Sequence, residues 1–346
     1  MKAIVITEFG GPEVLSYQET DTPEIGPDDV LVEVRAVTVN RTLDIYLRDG
    51  TYAHKPALPH VPGVDPSGVI VEVGENVTDR KIGDRVYCSI FLPTDNPNSH
   101  VVIPGLGPAD MLGVTVWGGY AQYVRTNAAR TVPIPDSLGF HEATVIGRHL
   151  ATASNQVENV LDTKAGDRVL VMGATGGLGA ACIQVAKWCG AEVIAAAGSD
   201  DRVAATLELG ADHGINYRSA NLHDELMKLT DGKGVDGVCE SVADPDLFPQ
   251  VIQSMGRGTK LVTAGNASAS ADVPLDVRRL YLYQLQIIGE PREAPGGLEQ
   301  AFARAGERDI KVLIDKVYPL SQAADAQCRV EDRAGIGKVV IDPTLD

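Results

Sequence analysis

Residues 169–193, VLVMGATGGLGAACIQVAKWCGAEV, place small side chains where a phosphate group could be held. An apolar run ends at Gly173, and Ala174, Thr175, Gly176, Gly177, Leu178 and Gly179 form a turn that opens directly into an amphipathic stretch. The spacing Ala174-x-Gly176-x-x-Gly179 is the dinucleotide fingerprint with alanine in its first position. Small residues let the backbone approach a pyrophosphate, the last glycine lets the helix pack on the strand, and the helix N-terminus offers N–H groups with partial positive charge. The competing reading is a plain strand-to-helix turn. A strand before, a helix after and a second strand at EVIAAA (192–197) favour the dinucleotide.

The end of that second strand distinguishes the two nicotinamide cofactors. An NAD site places Asp or Glu there to accept the ribose hydroxyls. Here the text runs AAAGSDDR, with Gly198 and Ser199 in place of the carboxylate and Arg202 within reach of a 2′-phosphate. An arginine fork binds phosphate through several donors. Asp200 and Asp201 oppose this unless they turn to solvent, and Arg202 could instead be a solvated residue of a helix's first turn. NADPH is the expected cofactor.

The elements that must position these residues fall into three stretches. Before residue 140 the chain carries short alternating runs, VLVEVRAVT (30–38) and VIVEV (69–73), separated by glycine and proline turns, which predicts a closed or partly closed β barrel. Residues 89–113 form a long, proline-punctuated segment without periodicity, and such loops are often functional. From about residue 140 apolar strands alternate with helical patterns: helices near 177–189 and 201–209, further strands at 234–241 and 260–265. That alternation predicts a doubly wound parallel sheet. The text after residue 315 turns β-like again, as if rejoining the first domain.

The chain has 346 residues and a formal net charge of −17, with no Lys/Arg cluster. This charge opposes nucleic acid and anionic lipid as partners. No apolar run reaches the ~20 residues that span a bilayer. The five cysteines, Cys88, Cys182, Cys189, Cys239 and Cys328, are scattered and fit reduced thiols better than a disulfide frame or a metal knuckle. A cytoplasmic location is expected.

The segments FGGPEVL (9–15), VPGVDPSGVIVEVGENV (61–77), GDRV (83–86), GGYAQYV (118–124), AGDRVLVMGATGGLG (165–179) and LGADHGINYR (209–218) together resemble the medium-chain dehydrogenase/reductase superfamily, and within it the quinone oxidoreductases. The resemblance spans nearly the whole chain. It implies an α/β architecture: a Rossmann domain with a doubly wound parallel sheet (139–314), inserted in a GroES-like β-barrel catalytic domain formed by residues 1–138 and 315–346. In NADPH-dependent relatives a Gly-Ser segment, a basic residue four positions after the Gly and the Tyr of an NYR segment hold the 2′-phosphate. Those positions are Gly198, Ser199, Arg202 and Tyr217 here. Ala264 and Gly265, ending the strand KLVTAG, and Lys338 near the C-terminus are further expected cofactor contacts.

Zinc-dependent members of the superfamily place Cys, His and Cys ligands where this chain has Asn40, Val64 and Arg148. None of the three supplies a thiolate or imidazole. The structural-zinc lobe of those enzymes needs four cysteines, and residues 88–113 contain one. No zinc site is expected. The segment VNRTLDIYLRDGTY also carries one residue more between Asn40 and Asp44 than the usual quinone reductase form.

Without a metal, an alcohol or plain ketone lacks its usual Lewis acid. A quinone or α,β-unsaturated carbonyl is an easier acceptor, because hydride adds to a conjugated carbon and donors can stabilise the charge spread onto oxygen. Candidate donors are Tyr46, Arg48 and Tyr52, where either tyrosine could instead be a half-buried structural residue, and Asn40 is a candidate pocket-lining amide or else a turn-stabilising residue. Arg148, in the lost ligand's position, could replace the metal's charge, or pair with Asp65 as a salt bridge filling the old cavity. His54, His60 and His149 are expected to be structural or surface residues. A metal-free alcohol or carbonyl dehydrogenase and a non-catalytic NADPH-binding protein are the competing functions, and a homodimer is the expected assembly.

Overall fold

A computed structural model describes residues 1–94, 101–103, 107–268 and 272–346. The chain divides into two compact units, one comprising Met1–Arg148, Leu298–Asp309 and Ile314–Asp346, the other His149–Gly297 and Ile310–Leu313. Among the described residues no helix is long and apolar enough to cross a membrane.

The first unit is built on a seven-stranded sheet. Its central strand, Asp29–Thr38, pairs antiparallel with Ser67–Val73, Tyr123–Asn127 and Lys338–Asp342. Arg85–Cys88 and Thr131–Pro133 continue the sheet on one side, and Ile314–Pro319 runs parallel to Lys338–Asp342 on the other. Register shifts between Leu31 and Val32 and between Val34 and Ala36 are the bulges that bend such a sheet toward closure. Val32, Val37, Leu43, Ile70, Leu112 and Ile341 lie in one buried cluster within it. The C-terminal strand meets the central one at Val340↔Thr38 and Ile341↔Val37, which sets Lys338 beside the segment that follows Thr38. Of the 89–113 segment, residues 95–100 and 104–106 lie outside the described residues. The rest carries three short strands, Phe91–Pro93, Val102–Ile103 and Gly107–Met111.

The compact units differ from the expected bounds of 139 and 314. Residues up to Arg148 stay with the first unit because Ser67 Oγ donates to the Phe140 carbonyl at 2.8 Å and Thr144 Oγ1 donates to the Asp65 carbonyl. Residues 298–309 stay there too: Phe302 is buried against Tyr87, with ring centroids 5.4 Å apart.

The second unit holds a six-stranded parallel sheet. Its strands in chain order are Arg168–Met172, Glu192–Ala197, His213–Asn216, Val235–Glu240, Met255–Thr263 and Gln286–Gly289. Counted in that order they lie 3-2-1-4-5-6 across the sheet. The order reverses between Arg168–Met172 and Val235–Glu240, and ligands of such sheets bind in the crevice beyond the carboxyl ends of the strands at that switch point. The first two helices, Gly177–Trp188 and Asp200–Glu208, start within a residue of their expected positions. Leu170, Ile194, Val238 and Leu261 fill the core.

Candidate active site

The glycine turn of the second unit follows the strand Arg168–Met172. Gly173 adopts φ +63°, and the Gly176 N–H donates to its carbonyl at 3.0 Å. A Cβ added at Gly179 would stand 2.4 Å from the Gly173 oxygen, so only glycine permits this approach of helix to strand. Gly176 is the N-cap of helix Gly177–Trp188 and offers no side-chain cap. The first turn's N–H groups are therefore left for another acceptor. Ala174 and Thr175 are buried, Leu178 is half-buried, and Gly176 is exposed. These residues fit a dinucleotide pyrophosphate: donors without a cap, and no side chain in the way. A Cβ at Gly177 would meet the His149 ring at 2.6 Å, so this histidine packs under the turn.

At the end of the second strand, a Cβ added at Gly198 would lie 3.0 Å from Tyr217 Oη and 3.3 Å from Arg218 Nε. Glycine thus keeps space open beside two donors. Ser199 caps the next helix, its Oγ accepting from the Arg202 N–H at 3.4 Å. Arg202 sits half-buried in that helix's first turn. Asp200 turns aside: its Oδ1 accepts from Asn216 Nδ2 at 2.7 Å. Arg218 went unnoticed in the sequence, although it is the basic residue of the NYR segment itself. Gly265 follows the fifth strand, where a Cβ would approach the Ser241 carbonyl at 3.2 Å, and its own carbonyl accepts from Thr263 Oγ1 at 3.4 Å. Ala264 beside it is half-buried.

The first unit gathers a second polar group. Asp65 is fully buried in the left-handed region at φ +63°, a conformation that a non-glycine residue holds only when its surroundings fix it. They do so here. Its carbonyl accepts from Thr144, and its Oδ1 accepts from Tyr87 Oη at 2.9 Å. Arg148 Nη1 stands 3.7 Å from that same oxygen, with the Arg148 side chain 30% exposed. Asn40 Nδ2 donates to Thr38 Oγ1 at 2.9 Å and to Asp65 Oδ2 at 3.4 Å. Val64 is fully buried among apolar side chains.

Three expectations change. Lys338, expected as a cofactor contact, is engaged within the first unit: its ammonium donates to Asn40 Oδ1 at 2.7 Å and to the Val39 carbonyl at 2.9 Å. The Asn40 amide is committed to Thr38, Asp65 and Lys338, so it is a link within the cluster more than a free pocket donor. Arg48 is 1% exposed and engages Gln327 Oε1 at 2.9 Å, Glu331 Oε1 at 2.9 Å and Asp49 Oδ1 at 2.6 Å. A buried guanidinium must be paired, and these partners take Arg48 out of the set of substrate donors.

Asn40 leads into a π-helical turn, Arg41–Ile45, in which the Ile45 N–H reaches back to the Asn40 carbonyl at 3.4 Å. A π turn holds one residue more than an α-helical turn, which fits the longer spacing between Asn40 and Asp44 that the sequence suggests. Tyr46 follows, half-buried, its carbonyl accepting from the Thr51 and Tyr52 N–H groups at 2.9 Å. Tyr52 packs on the unit's core, edge-on to His54 at 5.9 Å. Burial raises its phenol above the usual tyrosine range, and Arg148 opposes the shift. His60 is buried, and burial pulls it down to about 4. Among the described residues no three His, Cys, Asp or Glu side chains are grouped to hold a metal ion.

Comparison with known proteins agrees with this arrangement. Residues 26–136 match the family model of the alcohol dehydrogenase GroES-like domain, and residues 177–305 match that of the zinc-binding dehydrogenases. A quinone oxidoreductase of Rattus norvegicus is 32% identical over 351 residues, covering 99% of this chain and 97% of the relative. An alcohol dehydrogenase of Geobacillus stearothermophilus is 31% identical, covering 99% of each. A solved NAD-dependent alcohol dehydrogenase superposes with a TM-score of 0.92 at 34% identity over 99% of both chains. The chain therefore belongs to the medium-chain dehydrogenase/reductase superfamily of nicotinamide-dinucleotide oxidoreductases, in its quinone oxidoreductase-like branch.

Proposed function

We propose that this chain reduces a quinone or an α,β-unsaturated carbonyl, using NADPH and no metal. One observation carries the reading. Where zinc-dependent members have ligands, this chain has Asn40, Val64 and Arg148, and Arg148 stands 3.7 Å from Asp65. A guanidinium cannot bind zinc, but it can stabilise an oxyanion.

Bound NADPH supplies the hydride. Arg148, with part of its side chain open to solvent, takes up the charge that develops on the acceptor's carbonyl oxygen. Asp65, itself held by the Tyr87 hydroxyl, orients the guanidinium from the buried side. Tyr52 keeps its phenolic proton at neutral pH, because burial raises its pKa. It is therefore suited to return a proton to the α carbon once the oxyanion has formed. The NADPH preference draws on the open space at Gly198, on Tyr217 and Arg218 beside it, and on the withdrawal of Asp200 toward Asn216.

The likeness to an NAD-dependent alcohol dehydrogenase favours a second reading, a metal-free alcohol or carbonyl dehydrogenase. Steady-state assays separate them. NADPH consumption with a quinone and an enone, and little with a simple ketone or with NADH, is the expected result. Turnover of simple alcohols with NAD, at rates above the quinone reaction, would replace the first reading with the second.

A further inference from the structure

The first unit buries a carboxylate that the reaction above does not use. Asp44 is 1% exposed. Its Oδ2 accepts from the Asn40 backbone N–H at 2.7 Å, while its Oδ1, with the Val64 N–H on its side of the group, accepts no full hydrogen bond from the described residues. An ionised carboxylate buried with one oxygen poorly partnered is costly, and a protonated one far less so. The charged and titratable groups facing Asp44 are Asp65, Lys338 and the Tyr120 phenol. Those facing Lys338 are Asp65, Asp44 and Arg148.

Lys338 grips the other end of Asn40. An ammonium has donors and no acceptor, so it can meet only the amide oxygen of Asn40. The 2.7 Å contact to Oδ1 therefore turns Nδ2 toward Thr38 and Asp65. With its backbone N–H on Asp44 and its side-chain oxygen on Lys338, Asn40 is held at both ends.

We propose that Asp44, kept as a neutral carboxylic acid, and Lys338 are positioning residues that clamp Asn40 and leave the Arg148–Asp65–Lys338 group with one net positive charge. The charge count is direct. Two cations and the Asp65 anion sum to plus one while Asp44 keeps its proton, and to zero once Asp44 ionises. The inference rests on Arg148 acting as the oxyanion donor. Its chemical environment agrees: burial, with the charge of Asp65 adding, pushes Asp44 up to about 7 against the pull of the Asn40 and Val64 N–H groups and of Lys338. Burial pulls Lys338 down to about 8, against the attraction of Asp65 and Asp44. Both titrations remove positive charge as pH rises, so the oxyanion-forming step slows from about pH 7 upward.

The test uses full-length wild type, Asp44→Asn, Lys338→Met and Lys338→Arg. Because the folded carboxyl pKa lies above the unfolded one, Asp44 contributes stability that is lost as pH rises from the ordinary carboxylate range to about 7. In urea denaturation the wild-type unfolding constant, relative to that of Asp44→Asn, should climb by up to about tenfold per pH unit across that window and then level off. Parallel curves overturn the neutral acid. If Asp44→Asn does not fold, infrared spectra of wild type decide: a protonated-carboxyl band present at about pH 6 and lost above about pH 8 supports the claim, and its absence at the lower pH ends it. With NADPH and a quinone, the normalised pH profile of Asp44→Asn should lose the decline near pH 7, and coincident profiles count against the proposal. Lys338→Met should lower kcat by about tenfold to a hundredfold with KM little moved, partly rescued by Lys338→Arg. An unchanged kcat removes Lys338 from the clamp. A wild type that reduces neither quinones nor enones defeats the proposed function alone, since the denaturation curves still decide the state of Asp44.

Discussion

Tyr87 Oη and Arg148 Nη1 converge on the same oxygen, Oδ1 of Asp65, at 2.9 Å and 3.7 Å respectively. The hydroxyl donates a hydrogen bond and the guanidinium stands at ion-pair distance. Asp65 therefore orients Arg148 at ion-pair distance, while its own short hydrogen bond goes to Tyr87.

Arg148→Met separates catalysis from structure. As an oxyanion donor, its loss should cost about a hundred- to thousandfold in kcat, with the melting temperature and NADPH affinity little moved. As a structural partner, its loss strands a fully buried carboxylate and lowers the melting temperature while the folded fraction keeps its rate. Enzyme kinetics and thermal denaturation on the same preparation decide between the two.

Metal removal should change nothing. If Asn40, Val64 and Arg148 stand in the ligand positions, as the resemblance implies, chelator treatment should leave the rate intact and elemental analysis should find no stoichiometric zinc. About one zinc per chain would overturn the metal-free mechanism.

Arg202→Ala and Arg218→Ala probe the cofactor's phosphate. Each should weaken NADPH binding by about 1.5–3 kcal/mol, the scale of a hydrogen bond to a charged group, and leave NADH binding nearly unchanged. If one variant loses affinity for both cofactors equally, that arginine does not read the 2′-phosphate. Fluorescence titration of NADPH and NADH gives the comparison directly.

Self-association should run through the last strand of the parallel sheet. Among the described residues Gln286–Gly289 pairs only with Met255–Thr263, and Val277, Tyr281, Leu282 and Ile287 are 62%, 64%, 50% and 38% exposed. An open apolar edge of this kind is a liability unless another strand covers it. Sedimentation should give a dimer that Ile287→Lys weakens. A monomer at micromolar concentration would leave the edge without a partner.

The glycine turn was legible because all its determinants lie within a dozen residues: strand, small side chains, helix start. The missing carboxylate at Gly198 was legible for the same reason. The Asn40–Lys338 bond joins residues 298 positions apart, and nothing in the local text around either marks the other. Arg48 shows the opposite failure. Its position in a promising stretch suggested a substrate donor, yet its partners Gln327 and Glu331 arrive from the far end of the chain and bury it. Neighbouring side chains make a phosphate cradle visible in the text, while a cluster assembled from both chain ends becomes visible only after folding.

The π turn at Arg41–Ile45 has one more consequence, which is a matter of phase. Each residue of an α helix advances the side chain by about 100° around the axis. A single inserted residue therefore rotates everything after it without altering its composition. Downstream of the turn, Arg48 is directed into the interior and Tyr46 is left half-exposed. Deleting Thr42 should restore an ordinary helical turn, swing both side chains about the axis, and dismantle the Arg48–Gln327–Glu331 network. The turn thus sets an angular offset for the side chains that follow it, and the burial of Arg48 depends on that phase.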